Sequence, residues 1–236
     1  MVSISLCMIV KNEEDVIGRC LESVKDLVDE INIVDTGSTD RTKQIVAQFT
    51  DRIFDFEWIH HFAAARNYSF QQATMDYILW LDADDVFLEE DQEKFKALKS
   101  SLSPTIDAVS MNYNLSFDSE GNVDALIRRN RLVKKEKSFQ WIGAVHEYLE
   151  VGGELIESDI AVSHLPLSHD HSRNITIYKT LVESGETLSP RDTFYFANEL
   201  LDHSQFEEAI YYYELFLTSK LGWVEDNIRA CFKLAD

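Results

Sequence analysis

The chain has 236 residues, 45% of them hydrophobic and 27% charged, which is enough to bury one sizeable core and carry a small appendage. Its formal net charge of −20 argues against a nucleic-acid or anionic-membrane partner, because either needs a basic face to neutralise phosphates. Three scattered cysteines, Cys7, Cys20 and Cys231, lack CxxC spacing, so neither a disulfide framework nor a structural zinc site is expected. Met1 leads directly into an apolar strand, with no basic n-region and no apolar run near 20 residues. A cytoplasmic protein without signal peptide or membrane span is the expectation.

From residue 2 to about residue 99, apolar runs alternate with amphipathic stretches. Strands are predicted at Ser3–Val10, Glu30–Asp35, Arg52–Phe56 and Met75–Leu81, with helices over Glu13–Leu27, Asp40–Phe49 and Ala63–Ala73. Asn12 is the expected cap of the first helix, and Ser38, Thr39 and Asp40 offer capping side chains for the second. Strands alternating with helices imply an α/β fold with a doubly wound, mostly parallel sheet, whose ligands sit at the carboxyl ends of its strands. That rule gathers the loops around Lys11, Asp35 and Asp82 on one rim. Between Asp107 and about Leu165 the pattern becomes strands joined by turns, and a smaller, more antiparallel extension is predicted.

The remainder reads as helical, giving a domain of residues 1–170 and a helical segment of 171–236. Ala197 and Ala209 fall at tight packing positions of a helical hairpin, with Tyr213 and Phe216 on the inner face of its second helix. This spacing resembles one and a half tetratricopeptide repeats. Solenoids of that kind need about three repeats to stand alone, so the segment is expected either to lean on the larger domain or to belong to a longer chain.

The most informative stretch is Trp80-Leu81-Asp82-Ala83-Asp84-Asp85, acids placed directly after a buried strand. Residues i and i+2 of a strand point the same way, so Asp82 and Asp84 are predicted to face one ligand, and their oxygens suit a hard divalent cation. In so acidic a chain, a bound nucleotide diphosphate would need a metal ion and a few arginines to reverse the local field.

Together with Ser5-Leu6-Cys7-Met8-Ile9-Val10-Lys11-Asn12-Glu13-Glu14, Ile33-Val34-Asp35-Thr36-Gly37-Ser38-Thr39-Asp40, Phe62-Ala63-Ala64-Ala65-Arg66-Asn67 and Trp141-x-Gly143-x-x-His146-Glu147, this box resembles the inverting family-2 glycosyltransferases with the GT-A fold. The resemblance implies helices on both faces of the sheet and a small all-α tail. It implies a UDP-sugar donor, with Ile9, Lys11, Glu13 and Asp35 at the nucleoside, Arg66 at the diphosphate and Asp82 at the ribose and metal shell. Asp84 would bind Mn2+ or Mg2+ directly. Thr36 departs from the second acid that many relatives carry. Glu147 is the candidate base, and His146 beside it could ligate the metal or orient that base. His164 falls where the subgroup often has a histidine, but Leu165 and Pro166 replace the usual following residues. The acceptor implied is a protein, a peptide or a cell-envelope saccharide, and a homodimer through the tail is a further arrangement.

Other families share parts of these motifs. Asp82 to Val86 also fits the box of haloacid-dehalogenase-type phosphatases, but that box follows a first strand and needs a later Lys and paired acids. Sugar-phosphate nucleotidyltransferases need a glycine-rich loop where Lys11-Asn12-Glu13 stands. A catalytically lapsed GT-A chain acting as a helical-repeat peptide-binding module is the rival from another class. His169 and His171 flank Asp170 in what reads as a solvated polar turn, and His60 and His61 as a helix entry.

Overall fold

The computed structural model describes residues 1–167 and 172–235, so His169 and His171 lie outside the described residues. The elements run β1 (Ile4–Val10), α1 (Ile17–Val24), β2 (Glu30–Asp35), α2 (Thr42–Val46), β3 (Ile53–Asp55), α3 (Phe62–Gln71), β4 (Tyr77–Trp80), β5 (Asp85–Val86) and α4 (Glu89–Ser101). They continue with β6 (Ala108–Phe117), β7 (Val123–Lys134), β8 (Gln140–Ile142), β9 (Tyr148–Glu150), β10 (Leu155–His164), α5 (Arg173–Glu183), α6 (Pro190–Asp202), α7 (Phe206–Ser219) and α8 (Val224–Ala235). The chain divides into two compact units. Among the described residues, the first holds 1–58, 64–141 and 149–167, and the second holds 59–63, 142–148 and 172–235.

In the first unit an eight-stranded sheet runs in the order β3-β2-β1-β4-β7-β6-β10-β5. β1 pairs in parallel with β2 and β4, β2 with β3, and β6 with β10. β7 is antiparallel to both β4 and β6, which makes those two co-directional, and β5 closes the edge antiparallel to β10. The sheet is therefore mostly parallel, with β1, β2, β4 and β10 ending on one rim. α1 packs through Ile17, Cys20, Leu21 and Val24, which follow the i, i+3, i+4, i+7 spacing of an amphipathic helix.

Residues 107–165 form the more antiparallel extension that their turn-rich pattern predicts, and it is continuous with the main sheet. β6, β7 and β10 complete the main sheet, and β8 and β9 alone pair apart from it. The reason is β7. With Arg128, Arg129 and Arg131 it reads as a solvated strand, yet Arg131, Leu132 and Val133 are buried where it inserts between β4 and β6.

At the turn into β10, Gly153 has φ 90°, and a Cβ there would lie 2.1 Å from Asp107 Oδ2, the oxygen that accepts the Glu154 N–H at 3.0 Å. Gly153→Ala should cost roughly 1–3 kcal/mol, read as a lower urea midpoint. An unchanged midpoint would show that this turn adapts freely.

In the second unit Ser189 caps α6, its Oγ accepting the Asp192 N–H at 3.1 Å with Pro190 at the first helical position. Ala197, Ala209, Tyr213 and Phe216 are buried as expected of the hairpin, with Phe194 set 5.2 Å from Phe216 between ring centroids. No described helix is long and apolar enough to cross a membrane.

Candidate active site

The loops after β1 and β2 are tied together. Asn12 does not cap a helix, because α1 starts only at Ile17. Instead it takes φ 55°, donates its N–H to Ser38 Oγ at 3.0 Å and accepts the Thr39 N–H at 2.8 Å. The Glu13 N–H donates to Thr42 Oγ1 at 2.7 Å. Asp40 comes nearest its expected capping role, accepting the N–H of Thr42 at 2.9 Å and of Glu14 at 3.1 Å. Ile9 lies in β1 opposite Val34, and Lys11 is exposed in the turn that follows. Asp35, at the end of β2, is buried. Its Oδ1 accepts the N–H groups of Gly37 and Ser38 at 3.0 and 2.9 Å, while Oδ2 is buried without a hydrogen-bond partner. Gly37, at φ 103°, allows that tight turn.

The acidic box departs from the geometry its spacing predicts. β4 ends at Trp80, so Asp82 and Asp84 do not share a strand face. They lie in a turn closed by the Asp85 N–H donating to Asp82 O at 3.1 Å, while the Asp82 N–H donates to Asp85 Oδ2 at 2.9 Å. Asp82 is turned toward Arg66, whose Nη2 donates to its Oδ1 at 2.7 Å. Arg66 sits midway along α3 rather than at its first turn, with its guanidinium 5.1 Å from the Trp80 ring and 4.7 Å from the Trp141 ring. Asn67 fixes Trp141, its amide bonding to the Trp141 O at 3.0 Å and accepting the Trp141 N–H at 2.8 Å. Burial alone would raise the Asp82 carboxyl, but the charges of Arg66 and Arg131 outweigh it and hold it below the ordinary carboxylate range.

Beneath this turn Asp85, the last acid of the box, meets Arg131, a residue that carries no signal in the sequence. Arg131 and Asp85 are both fully buried and pair through Nη1 and Oδ2 at 2.9 Å. Arg131 also donates to the Trp80 carbonyl at 3.3 Å and lies against the rings of Trp80 and Tyr113, at 3.9 and 4.3 Å.

At the end of β10, His164 Nδ1 lies 3.5 Å from Asp84 Oδ1, 3.7 Å from Asp85 Oδ1 and 2.9 Å from Tyr113 Oη. Hydrogen bonding to Asp84 and then Asp85 raises His164 to about 10, with burial opposing. Asp84, Asp85 and His164 bring one ligand atom each within 4.8 Å of one another. This donor set fits a divalent cation: Asp85 Oδ1 is buried facing His164, Asp84 and His164 are half-exposed, and a cation bound there would take the place of the imidazolium proton between the acids. Asp84 and His164 thus come together, whereas Asp82 faces Arg66.

His146 and Glu147 belong to the second unit. His146 Nε2, offered by the sequence as a metal ligand or as the residue that orients the base, donates to Glu199 Oε1 at 2.8 Å, and its ring stacks on Tyr195 at 4.4 Å between centroids. Glu147 follows it, half-buried.

An acidic turn after β4 and a histidine ending β10, on the carboxyl rim of a mostly parallel sheet, define a GT-A type of nucleotide-sugar fold. The family model "Glycosyl transferase family 2" matches residues 5–144, more than half of the chain, and the protein belongs to that family. A TPR repeat-containing protein of Synechococcus elongatus is 47% identical over 90 residues, covering 38% of this chain and 22% of that protein. The SPbeta prophage-derived glycosyltransferase SunS of Bacillus subtilis is 28% identical over 224 residues, 89% of this chain and 52% of SunS. The chain spans about half or less of the length of these curated relatives. Among solved structures, S. aureus TarS residues 1–349 in complex with UDP-GlcNAc superposes with a TM-score of 0.53 at 13% identity, over 91% of this chain and 80% of that one. Glucosyl-3-phosphoglycerate synthase from Mycobacterium tuberculosis, in complex with Mn2+, UDP-glucose and phosphoglyceric acid, gives 0.53 at 15% identity, over 80% and 82%. These likenesses show the fold.

Proposed function

We propose that the chain transfers a sugar from a UDP-sugar to an acceptor with inversion, using a divalent cation held by Asp84 and His164. The observation that carries this is the meeting of Asp84, Asp85 and His164 beside the Arg66–Asp82 pair, in a family-2 chain. The buried, unpartnered Asp35 Oδ2 is an acceptor suited to the imide N–H of uracil. UDP-sugars in the solved TarS and glucosyl-3-phosphoglycerate synthase complexes, the latter with Mn2+, lend support.

When bound, the cation supplies Lewis-acid stabilisation of charge on the leaving diphosphate. Arg66 holds Asp82 and places a positive charge near the donor's diphosphate. Glu147 takes the acceptor proton as the new bond to the anomeric carbon forms and the bond to the diphosphate oxygen breaks. The acceptor classes are those the resemblance implies, a protein or peptide or a cell-envelope saccharide, and the helical segment is the proposed element that serves the acceptor.

Because water can replace the acceptor, the test needs no acceptor. Release of UDP from UDP-glucose and UDP-GlcNAc is expected with Mn2+ and not with EDTA, and the corresponding GDP- and dTDP-sugars should be spared. Equal release from GDP-sugars would move the base specificity away from Asp35. Absence of release from every donor would favour the lapsed-enzyme, peptide-binding alternative.

A further inference from the structure

The strip 142–148, which carries Glu147, is fastened residue after residue inside the second unit. Ala144 O accepts the Phe62 N–H at 2.8 Å, and Val145 O accepts from Tyr178 Oη at 3.4 Å. His146 O accepts Nε and Nη2 of Arg191 at 3.3 and 3.2 Å. The His146 ring is held on one edge by Glu199 and on one face by Tyr195, with the planes 21° apart. Glu199 accepts a further bond from Asn174 Nδ2 at 3.1 Å. Phe62 aside, these fastenings come from α5 and α6.

The backbone they hold is not one the strip would choose. Gly143 has φ 106°, and His146, which has a Cβ, has φ 50°, a left-handed conformation costing roughly 1–2 kcal/mol. Such a residue stays there only when its surroundings over-determine it. Glu199 is the acid of that set, alongside the guanidinium of Arg191. Burial works to raise the Glu199 carboxyl, but hydrogen bonds from His146 and Asn174 outweigh burial and keep it ionised.

We infer that Glu199, on α6 of the C-terminal helical segment, is a positioning residue for sugar transfer. By fixing the ring and the left-handed backbone of His146, it fixes the neighbouring Glu147. The inference rests on Glu147 being the base, and it makes the helical segment part of the catalytic apparatus instead of an appendage. A base displaced by about 1 Å can lose on the order of 100-fold in rate.

The test uses the whole chain, UDP-glucose and UDP-GlcNAc with Mn2+ as probes, and hydrogen exchange of amides 143–147. Glu199→Leu should lower kcat for UDP release by about 100-fold with donor KM within about twofold, and should speed exchange in the strip. Glu199→Gln keeps an acceptor oxygen and should retain most of the rate. Should Glu199→Leu fail to fold, Glu199→Asp, one methylene shorter, makes the same comparison and should lose rate with faster exchange. Wild-type kcat, unchanged exchange in the strip, or a rise in KM alone would overturn the positioning role. Glu147→Gln, run in parallel, separates the two claims. Full turnover in it would remove the base assignment, whereas a dead Glu147→Gln beside a fully active Glu199→Leu would remove the positioning role alone.

Discussion

Asp84→Ala is expected to lower UDP release by about three orders of magnitude, the rate equivalent of roughly 4 kcal/mol, while the melting temperature without metal stays near that of the parent. The two halves of this expectation have separate causes. Asp84 is half-exposed in a turn, and its backbone oxygen, which accepts the Leu165 N–H at 3.0 Å, is kept by alanine, so the substitution leaves the core of the sheet intact. Its Oδ1 is also one of the three atoms that converge with Asp85 and His164, so removal takes a donor from the proposed cation site. His164→Ala should behave alike. Steady-state UDP release and a melting curve on the same preparations check both. Residual activity within tenfold of the parent would place the cation, or the catalytic work, elsewhere.

Asp85→Ala is expected to act through stability, lowering it by about 3–5 kcal/mol, the cost of leaving one member of a buried ion pair uncompensated. Arg131 has no solvent to fall back on, and its Nε and Nη2 already lack hydrogen-bond partners, leaving the Trp80 and Tyr113 rings to cover its faces. Asp85 Oδ2 also accepts the Asp82 N–H, so the turn that carries the acidic box should loosen together with the core. Replacing both partners, as in Asp85→Asn with Arg131→Met, should cost less than Asp85→Ala alone, because no charge is then stranded. Urea unfolding of the single and double variants makes the comparison. A loss below about 1 kcal/mol for Asp85→Ala would mean that water or a neighbour compensates Arg131.

Much of the first unit could be read from the chain because its strands are local and apolar. Glu30–Asp35 has the same limits in sequence and structure, and Asp84 and Asp85 follow the predicted strand Met75–Leu81. The parity argument for Asp82 and Asp84 failed because β4 stops at Trp80 and the Asp85 carboxylate captures the Asp82 amide, a turn that strand periodicity does not encode. Arg131 was missed for a different reason. Beside Arg128 and Arg129 it looks like one more solvated cation, and its burial is decided by Asp85, far along the chain. The sole local signal was the apolar pair Leu132-Val133 directly after it. Glu199 was equally silent, since an acid on an amphipathic helix gives no sign that a histidine more than fifty residues earlier will reach it. Asn67, by contrast, lay within the quoted Arg66 motif, and its bidentate hold on Trp141 explains why an amide follows the arginine there.

The most direct measurement of the central claim is calorimetric titration of UDP into the purified chain, with Mn2+ and then with EDTA. Binding that requires Mn2+, is much weaker for GDP, and disappears in Asp84→Ala is the result expected of a uridine-selective site built on Asp35, Asp84 and His164. Equal binding with and without the metal, or none under either condition, would contradict it.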